Sequence, residues 1–346
     1  MAPSPYCTNT KVGGLQLVRP VSRGHSDRMG HRKKGLFTLL LACSPLVAQT
    51  NPDEQLRQAF VLEQQGQFGK VIAMTKPLTE SNQLSSVELG RACITLGVAY
   101  EGEGEFAEAR DAFERSLHIL DHDPEHTTDY AAALDNYAAL YNNAGQQDIA
   151  GQMWLKALHL RQQNGDHSGV TRSFTNLAGF ALAQNRIREA KNYLKRAADE
   201  MKQAHDLVDD DFAVLCETEA WLALAEDHPS TAAAKYGRSL EIVKRTRGEQ
   251  HWLTGWEYML RGKAYARSHD TEKALADMDK GLIILKHTLG DRNPKYFAAQ
   301  LAFSQVLDRA GSHAEAAQVN AAAQQALKAF YRDQCIGCTI NVAAFR

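Results

Sequence analysis

The sharpest local motif in the sequence is Cys335-Ile336-Gly337-Cys338, two thiols at the spacing used by dithiol redox sites and by half of a zinc site. No second CxxC stands elsewhere to complete four zinc ligands, and Thr339 occupies the place of the histidine that covalent haem attachment requires. No strand-helix-strand pattern surrounds the pair, so a thioredoxin-like role lacks its scaffold. Three uses stay open: a disulfide in the C-terminal tail, a free or regulatory dithiol, and metal or redox chemistry. A second cluster joins His118, His122 and His126 with Asp121, Asp123 and Glu125. Two histidines four apart on a helix can share a metal, but Asp123-Pro124 breaks the helix before His126, and a polar loop of this kind ordinarily faces water. Neither HExxH, GxSxG, a P-loop nor a Rossmann glycine fingerprint occurs. The expectation is a protein without catalytic residues, bound metal or cofactor.

The elements that carry these residues follow from composition. The 346 residues are 44% hydrophobic and 23% charged, as in a soluble folded chain. Nine prolines and an abundance of Ala, Leu, Gln, Glu and Lys favour helix throughout. Lys and Arg number 39 against 41 Asp and Glu, so no net field attracts nucleic acid or an anionic membrane. Nucleic acid is not an expected partner.

Self-similarity organises the chain. Small residues Gly97, Ala138, Ala178, Ala220, Gly262 and Ser304 recur 41, 40, 42, 42 and 42 residues apart, with a weaker copy at Ala59. Twelve residues after each comes a second small or β-branched residue: Val71, Ala109, Ala150, Ala190, Ala232, Ala274 and Ala316. Four further on stands a larger side chain, as in Phe113, Trp154, Leu194, Tyr236 and Met278, although Asn320 breaks this rule in the last unit. Small residues let two helices approach and the large one fills the space beside them, so each unit reads as a helix pair. Cys93 and Cys216 share the position four residues before the small one and read as core. Gly66, Gly104 and Gly145 mark turns within units, while Gly290 and Pro294 mark one between units.

Leu96-Gly97-Val98-Ala99-Tyr100, Gly104, Glu108-Ala109 and Phe113 resemble a tetratricopeptide repeat. The longer unit, with Leu134-Asp135-Asn136-Tyr137-Ala138-Ala139-Leu140-Tyr141 and the linker Leu289-Gly290-Asp291-Arg292-Asn293-Pro294, is similar to the kinesin-light-chain-like subclass, and the resemblance covers roughly Asn51 to Tyr331. It implies an all-α fold: an α-solenoid of about seven antiparallel helix pairs in a right-handed superhelix, whose first helices line a concave groove for a protein or peptide. Mapped residue by residue, the resemblance assigns to that groove Arg91, Ile94, Asp135, Asn142, Arg172, Thr175, Glu217, Trp221, Leu224, Trp256, Met259, Lys263 and Arg267. Asn136 and Asn176 take the position whose amide holds a bound peptide backbone or ties neighbouring repeats together. Trp221 and Trp256 either anchor an apolar ligand residue beside an acidic flank or pack within the array. Ile94 and Val98 replace polar members of the carboxylate clamp of chaperone-binding relatives, so a chaperone C-terminus is not the expected ligand.

Residues 1–28 show no periodicity and are expected to be disordered or to lie upstream of a start at Met29. Residues 29–48 read as a bacterial secretory signal: Arg32, Lys33 and Lys34 precede the apolar run from Gly35 to Ala42, too short for a membrane span of about 20 residues. Cleavage near Ala48, lipidation of Cys43 in Leu40-Leu41-Ala42-Cys43, and a retained anchor or no export are the alternatives. A membrane is a partner only if Cys43 is lipidated. The domain plan is therefore a signal at 29–48, repeats at 49–331 and a CxxC-bearing tail at 332–346. The function expected is an exported bacterial scaffold, periplasmic or extracellular. The alternatives are an envelope redox or metal-handling protein using the CxxC, and a cytoplasmic scaffold if the signal is unused.

Overall fold

The computed structural model describes residues 51–121, 127–204 and 207–333. Cys43, the signal segment, Cys335, Cys338, the rest of the tail, His122 and His126 lie outside the described residues. Among the described residues there are fourteen helices and no strand. They pair as α1 (Pro52–Gln64) with α2 (Phe68–Glu80), α3 (Ser86–Glu103) with α4 (Phe106–Leu120), α5 (Thr127–Asn143) with α6 (Gln147–Gln163), and α7 (His167–Ala183) with α8 (Ile187–Met201). The last three pairs are α9 (Asp209–Ala225) with α10 (Pro229–Arg247), α11 (Trp252–Arg267) with α12 (Thr271–Leu289), and α13 (Pro294–Arg309) with α14 (His313–Asp333).

Local chemistry sets the helix ends. Ser85 and Glu88 form a reciprocal cap on α3: Glu88 N–H donates to Ser85 Oγ and Ser85 N–H to Glu88 Oε2. Asp166, Asp270 and Asn293 cap α7, α12 and α13 with side-chain oxygens, and Pro52, Pro229 and Pro294 occupy first-turn positions where no amide hydrogen is needed. Turns of two or three residues join the helices of each pair. Every one contains a residue with positive φ: Gly66, Gly104, Gly145 and Gly311, and in the other three Asn185, Asp227 and His269. Reversing a helix in so few residues needs the left-handed conformation, which glycine adopts without strain and the others at a cost.

The small and large positions meet as helix packing requires. Gly97, Ala138, Ala178, Ala220, Gly262 and Ser304 are all buried, and Phe113 is fully enclosed. A Cβ at Gly97 would stand 2.6 Å from Phe113 Cε1, so the ring occupies the space the glycine leaves. Enclosing such a side chain contributes about 1.5–3 kcal/mol. Cys93 and Cys216 are buried between helices, and burial pushes the Cys93 thiol up to about 11. At neutral pH it is protonated and inert.

The array closes on itself. Phe68 of the first pair packs against Trp252, ring centroids 6.3 Å apart, in a cluster that also joins Ala59 and Val71 to Val243, Trp256 and Leu285. Asn293 Nδ2 donates to Gly102 O at 2.8 Å across 191 residues, and Arg247 Nη1 donates to Gln64 O at 3.2 Å across 183. Phe330 of α14 meets Phe106 of α4 edge to face at 5.6 Å. Two turn glycines sit under this seam: a Cβ at Gly66 would stand 2.8 Å from Trp252 Cδ1, and one at Gly104 3.0 Å from Phe330 Cζ. Their positions need both positive φ and the absence of a side chain.

Candidate functional site

Closure turns the inner face of the array into a cavity of about 90 Å³. Three first helices supply one wall with matching register positions: Val98 and Glu101 from α3, Ala132, Asp135, Asn136 and Ala139 from α5, and Thr171, Arg172, Thr175 and Asn176 from α7. Asp210, Asp211 and Val214 of α9 continue it. The opposite side comes from the seam: Glu63 and Gln64 of α1, Phe68, Arg247, His251, Trp252, Leu253 and Lys295.

The lining is charged, and most of its charges are paired. Arg161 Nη1 lies 2.6 Å from Asp135 Oδ2 and donates to Ser173 Oγ at 2.6 Å. Arg172 Nη1 meets Asp211 Oδ2 at 3.3 Å, and Arg247 Nη2 meets Asp210 Oδ2. Glu101 accepts from Asn143 Nδ2 at 2.9 Å and faces Lys295 Nζ at 3.9 Å. Burial raises the carboxyls of Asp135, Asp211 and Glu101 above the usual range, against the opposing pull of Arg161, Arg172 and Lys295. Burial takes Glu63 to about 8, with Arg247 opposing the shift, so at neutral pH it carries a proton. His251 is pushed down to about 4, by burial first and then by Arg247, and is a neutral imidazole. Its Nδ1 accepts from Leu253 N–H at 3.2 Å, which places the ring proton on Nε2.

Around the cavity several enclosed atoms of lining residues have no hydrogen-bond partner within the protein: Nε of Arg161, Arg172 and Arg247, Nε2 of His251, and Oδ1 of Asp135. A buried polar group without a partner costs about 1–3 kcal/mol, so these atoms make the inner face a costly part of the fold.

Of the residues assigned to the groove, Asp135, Asn136, Arg172, Thr175 and Asn176 line this cavity. Asn136 Nδ2 donates to Ala132 O of its own helix at 2.9 Å. The others are placed elsewhere. Arg91 makes a two-oxygen contact with Asp129 through Nε, both at 3.0 Å. Trp256 and Met259 are corrected to core residues: at 7% and 4% exposure they pack with Trp252, Met278 and Leu285, because the seam covers the face of α11 that an open array would present. Trp221 is half-buried beside Ala181, Leu182 and Leu222. Lys263 is half-buried, and burial lowers its pKa. Arg267 stands one place beyond the twelfth position, held by Ala266, and pairs with Asp227 at 2.8 Å. Sequence reasoning missed Arg161, Arg247, His251, Glu63 and Lys295. Arg161 projects from a second helix, and the rest reach the interior only through closure. No local signal marks them.

Among the described residues no group of three or more His, Cys, Asp and Glu is arranged to hold a metal, and no helix is long and apolar enough to cross a membrane. No family model matches the sequence, and no curated protein matches it. Solved structures do match. The Rap conjugation gene regulator of the plasmid pLS20, in complex with the Phr* peptide, superposes with a TM-score of 0.60 at 12% identity, covering 88% of this chain and 83% of that one. The apo form of RapI gives 0.56 at 10% identity, covering 82% and 99%. A chain of the APC/C hetero-tetramer Cut9-Hcn1 gives 0.50 at 18% identity, covering 80% and 55%. These neighbours are tetratricopeptide-repeat solenoids, and this chain has their all-α solenoid fold.

Proposed function

We propose that the chain is a non-catalytic interaction scaffold that holds a polypeptide segment of a partner on the inner face of its helical array. The observation that carries the reading is the interior itself: first-helix residues Asp135, Asn136, Arg172, Thr175 and Asn176 of two neighbouring repeats converge on one cavity. A concave, largely preformed space lined by a few polar side chains is the usual form of a ligand site. The fold shared with a structure solved in complex with the Phr* peptide supports the same choice of ligand. Within the fold, the finer assignment is the kinesin-light-chain-like subclass, supported by the linker Leu289 to Pro294.

The scaffold works after export in a bacterial envelope, with residues 29–48 as its signal and 49–331 as its repeat domain. The basic triplet Arg32 to Lys34, the following apolar run and the small residues up to Ala48 support this. One experiment in living cells addresses both parts. A photo-crosslinking residue is placed at Asn176, inside the cavity, or at Ile283, which is 62% exposed and does not line it, in a C-terminally tagged full chain. The expected outcome is protein adducts from position 176, recovered in the envelope fraction, and few from 283. Equal adducts from both positions would sink the interior as the binding surface, and adducts confined to the cytoplasm would sink the export reading.

A further inference from the structure

We propose that Glu217 and Glu257 hold one proton between them, and that this proton is the catch of an alkaline switch in the joint between the fifth and sixth helix pairs. The switch is separate from the binding reading and stands whether or not a partner occupies the interior. Glu217 projects from α9 and Glu257 from α11, the first helices of neighbouring pairs, and α10 packs on both. The two residues are 7% and 0% exposed, so neither carboxyl has an ordinary hydration shell. Ser239 of α10, itself fully enclosed, donates to Glu257 Oε1 at 2.8 Å, and Tyr236, one turn before it, is buried beside both acids. Glu217 Oε2 has no hydrogen-bond partner within the protein.

The charged groups of the surrounding helices are engaged elsewhere. Lys235 of α10 is held by Glu219 of α9 at 2.5 Å, and Arg238 of α10 is exposed. Arg261 of α11 is held by Asp277 of α12 at 2.7 Å, and Lys280 of α12 by Glu249 at 2.6 Å. On the far sides, Arg172 of α7 pairs with Asp211, Lys191 of α8 with Glu226, and Lys295 of α13 with Glu101. The buried titratable neighbours, Cys216 and Tyr236, are neutral, burial being the main cause that pushes each up. Burial first and the charge of Glu257 second hold the Glu217 carboxyl well above its ordinary range, with no cation to offset them.

Two enclosed carboxylates with one hydroxyl donor cannot both be charged at small cost. One proton between them replaces repulsion by a charge-assisted O–H···O bond that ties α9 to α11. When pH rises the proton leaves to solvent, two like charges face each other, and the least costly relief is to part the helices and admit water. The tie is complete below the ordinary glutamate value of 4.5 and is lost as pH rises through the raised folded value. Because α10 and α11 carry Arg247 and Trp252, loosening this joint also weakens the seam.

Infrared spectroscopy and hydrogen exchange of the full chain test the proposal. At pH 7 the protonated-carboxyl band is expected to be larger in the unmodified chain than in Glu217→Gln, whose amide N–H takes over as donor and leaves Glu257 ionised. Glu63 contributes equally to both spectra. Between pH 6 and pH 9, exchange of the α9–α11 amides, corrected for the intrinsic pH dependence and referred to α3–α6, is expected to rise about tenfold or more in the unmodified chain and to stay level in Glu217→Gln. Should Glu217→Gln lose its helical circular dichroism, Glu257→Gln serves in its place with the same expectations. Identical carboxyl bands would overturn the shared proton. Exchange in α9–α11 that rises equally in both chains, or in neither, would overturn the switch.

Discussion

Glu63 holds its proton at a pH where an exposed glutamate has lost it, because α1 buries it in the seam wall and Arg247 offsets only part of the desolvation. The sign of the linkage follows. An unfolded glutamate ionises near 4.5 and the folded one near 8, so between those values the folded state binds more protons and stability falls as pH rises. The contribution is complete below pH 4.5 and lost through pH 8. Glu63→Gln is therefore expected to flatten the decline in urea midpoint between pH 5 and pH 9, with a gain on the order of a few kcal/mol at the alkaline end. A variant whose pH profile parallels the unmodified chain would show that Glu63 is ionised in the fold. A buried acid pair acts in the same direction: burial first, and Glu257 second, push Glu217 well above the carboxylate range, while Glu257 Oε1 accepts from Ser239 Oγ at 2.8 Å.

At the scale of elements, stability and register come from turns and from the small-to-large match between paired helices. The turn at His269 is an exception that can be improved. Its φ of 63° is strained for a side chain with a Cβ, and the ring is exposed. His269→Gly is expected to stabilise the chain by about 0.5–1 kcal/mol, the relief of strain less the extra backbone entropy glycine brings to the unfolded state. A rise in thermal midpoint would show it, and a fall would mean that the imidazole makes an interaction worth more than the strain. The opposite holds at Gly104, where Phe330 fills the space a side chain would need.

The whole molecule differs from an open solenoid because its ends meet. In a chain of repeats each unit normally touches its neighbours alone. Here Asn293 has two duties: its Oδ1 caps α13 by accepting from Lys295 N–H at 2.9 Å, and its Nδ2 ties the start of α13 to the end of α3. Asp270 caps α12 without any such tie. Asn293→Ala is accordingly expected to cost about 2–3 kcal/mol, against about 1 kcal/mol for Asp270→Ala, measured by urea unfolding. Equal losses would mean that the Asn293–Gly102 bond adds nothing to stability and that closure rests on the aromatic contacts of the seam.

The division between what sequence and tertiary structure decide can be read from single positions. Gly97 and Phe113 announced a packed pair because helix packing is a local matter of which side chains share a face, and periodicity reports faces directly. The all-α solenoid was legible for that reason, as were buried Cys93 and Cys216. The turns at Asn185, Asp227 and His269 were not, since their left-handed backbone is imposed by the helices on either side and not by a preference of those residues. Trp256 and Met259 were legible as an apolar stripe, but whether a stripe meets a ligand or another helix depends on what covers it. That was decided by contacts between residues some 190 positions apart, as from Gly102 to Asn293. The same closure brings Arg247, His251 and Lys295 opposite Asp135 and Arg172, so the chemistry of the interior is a property of the closed array and of no single repeat.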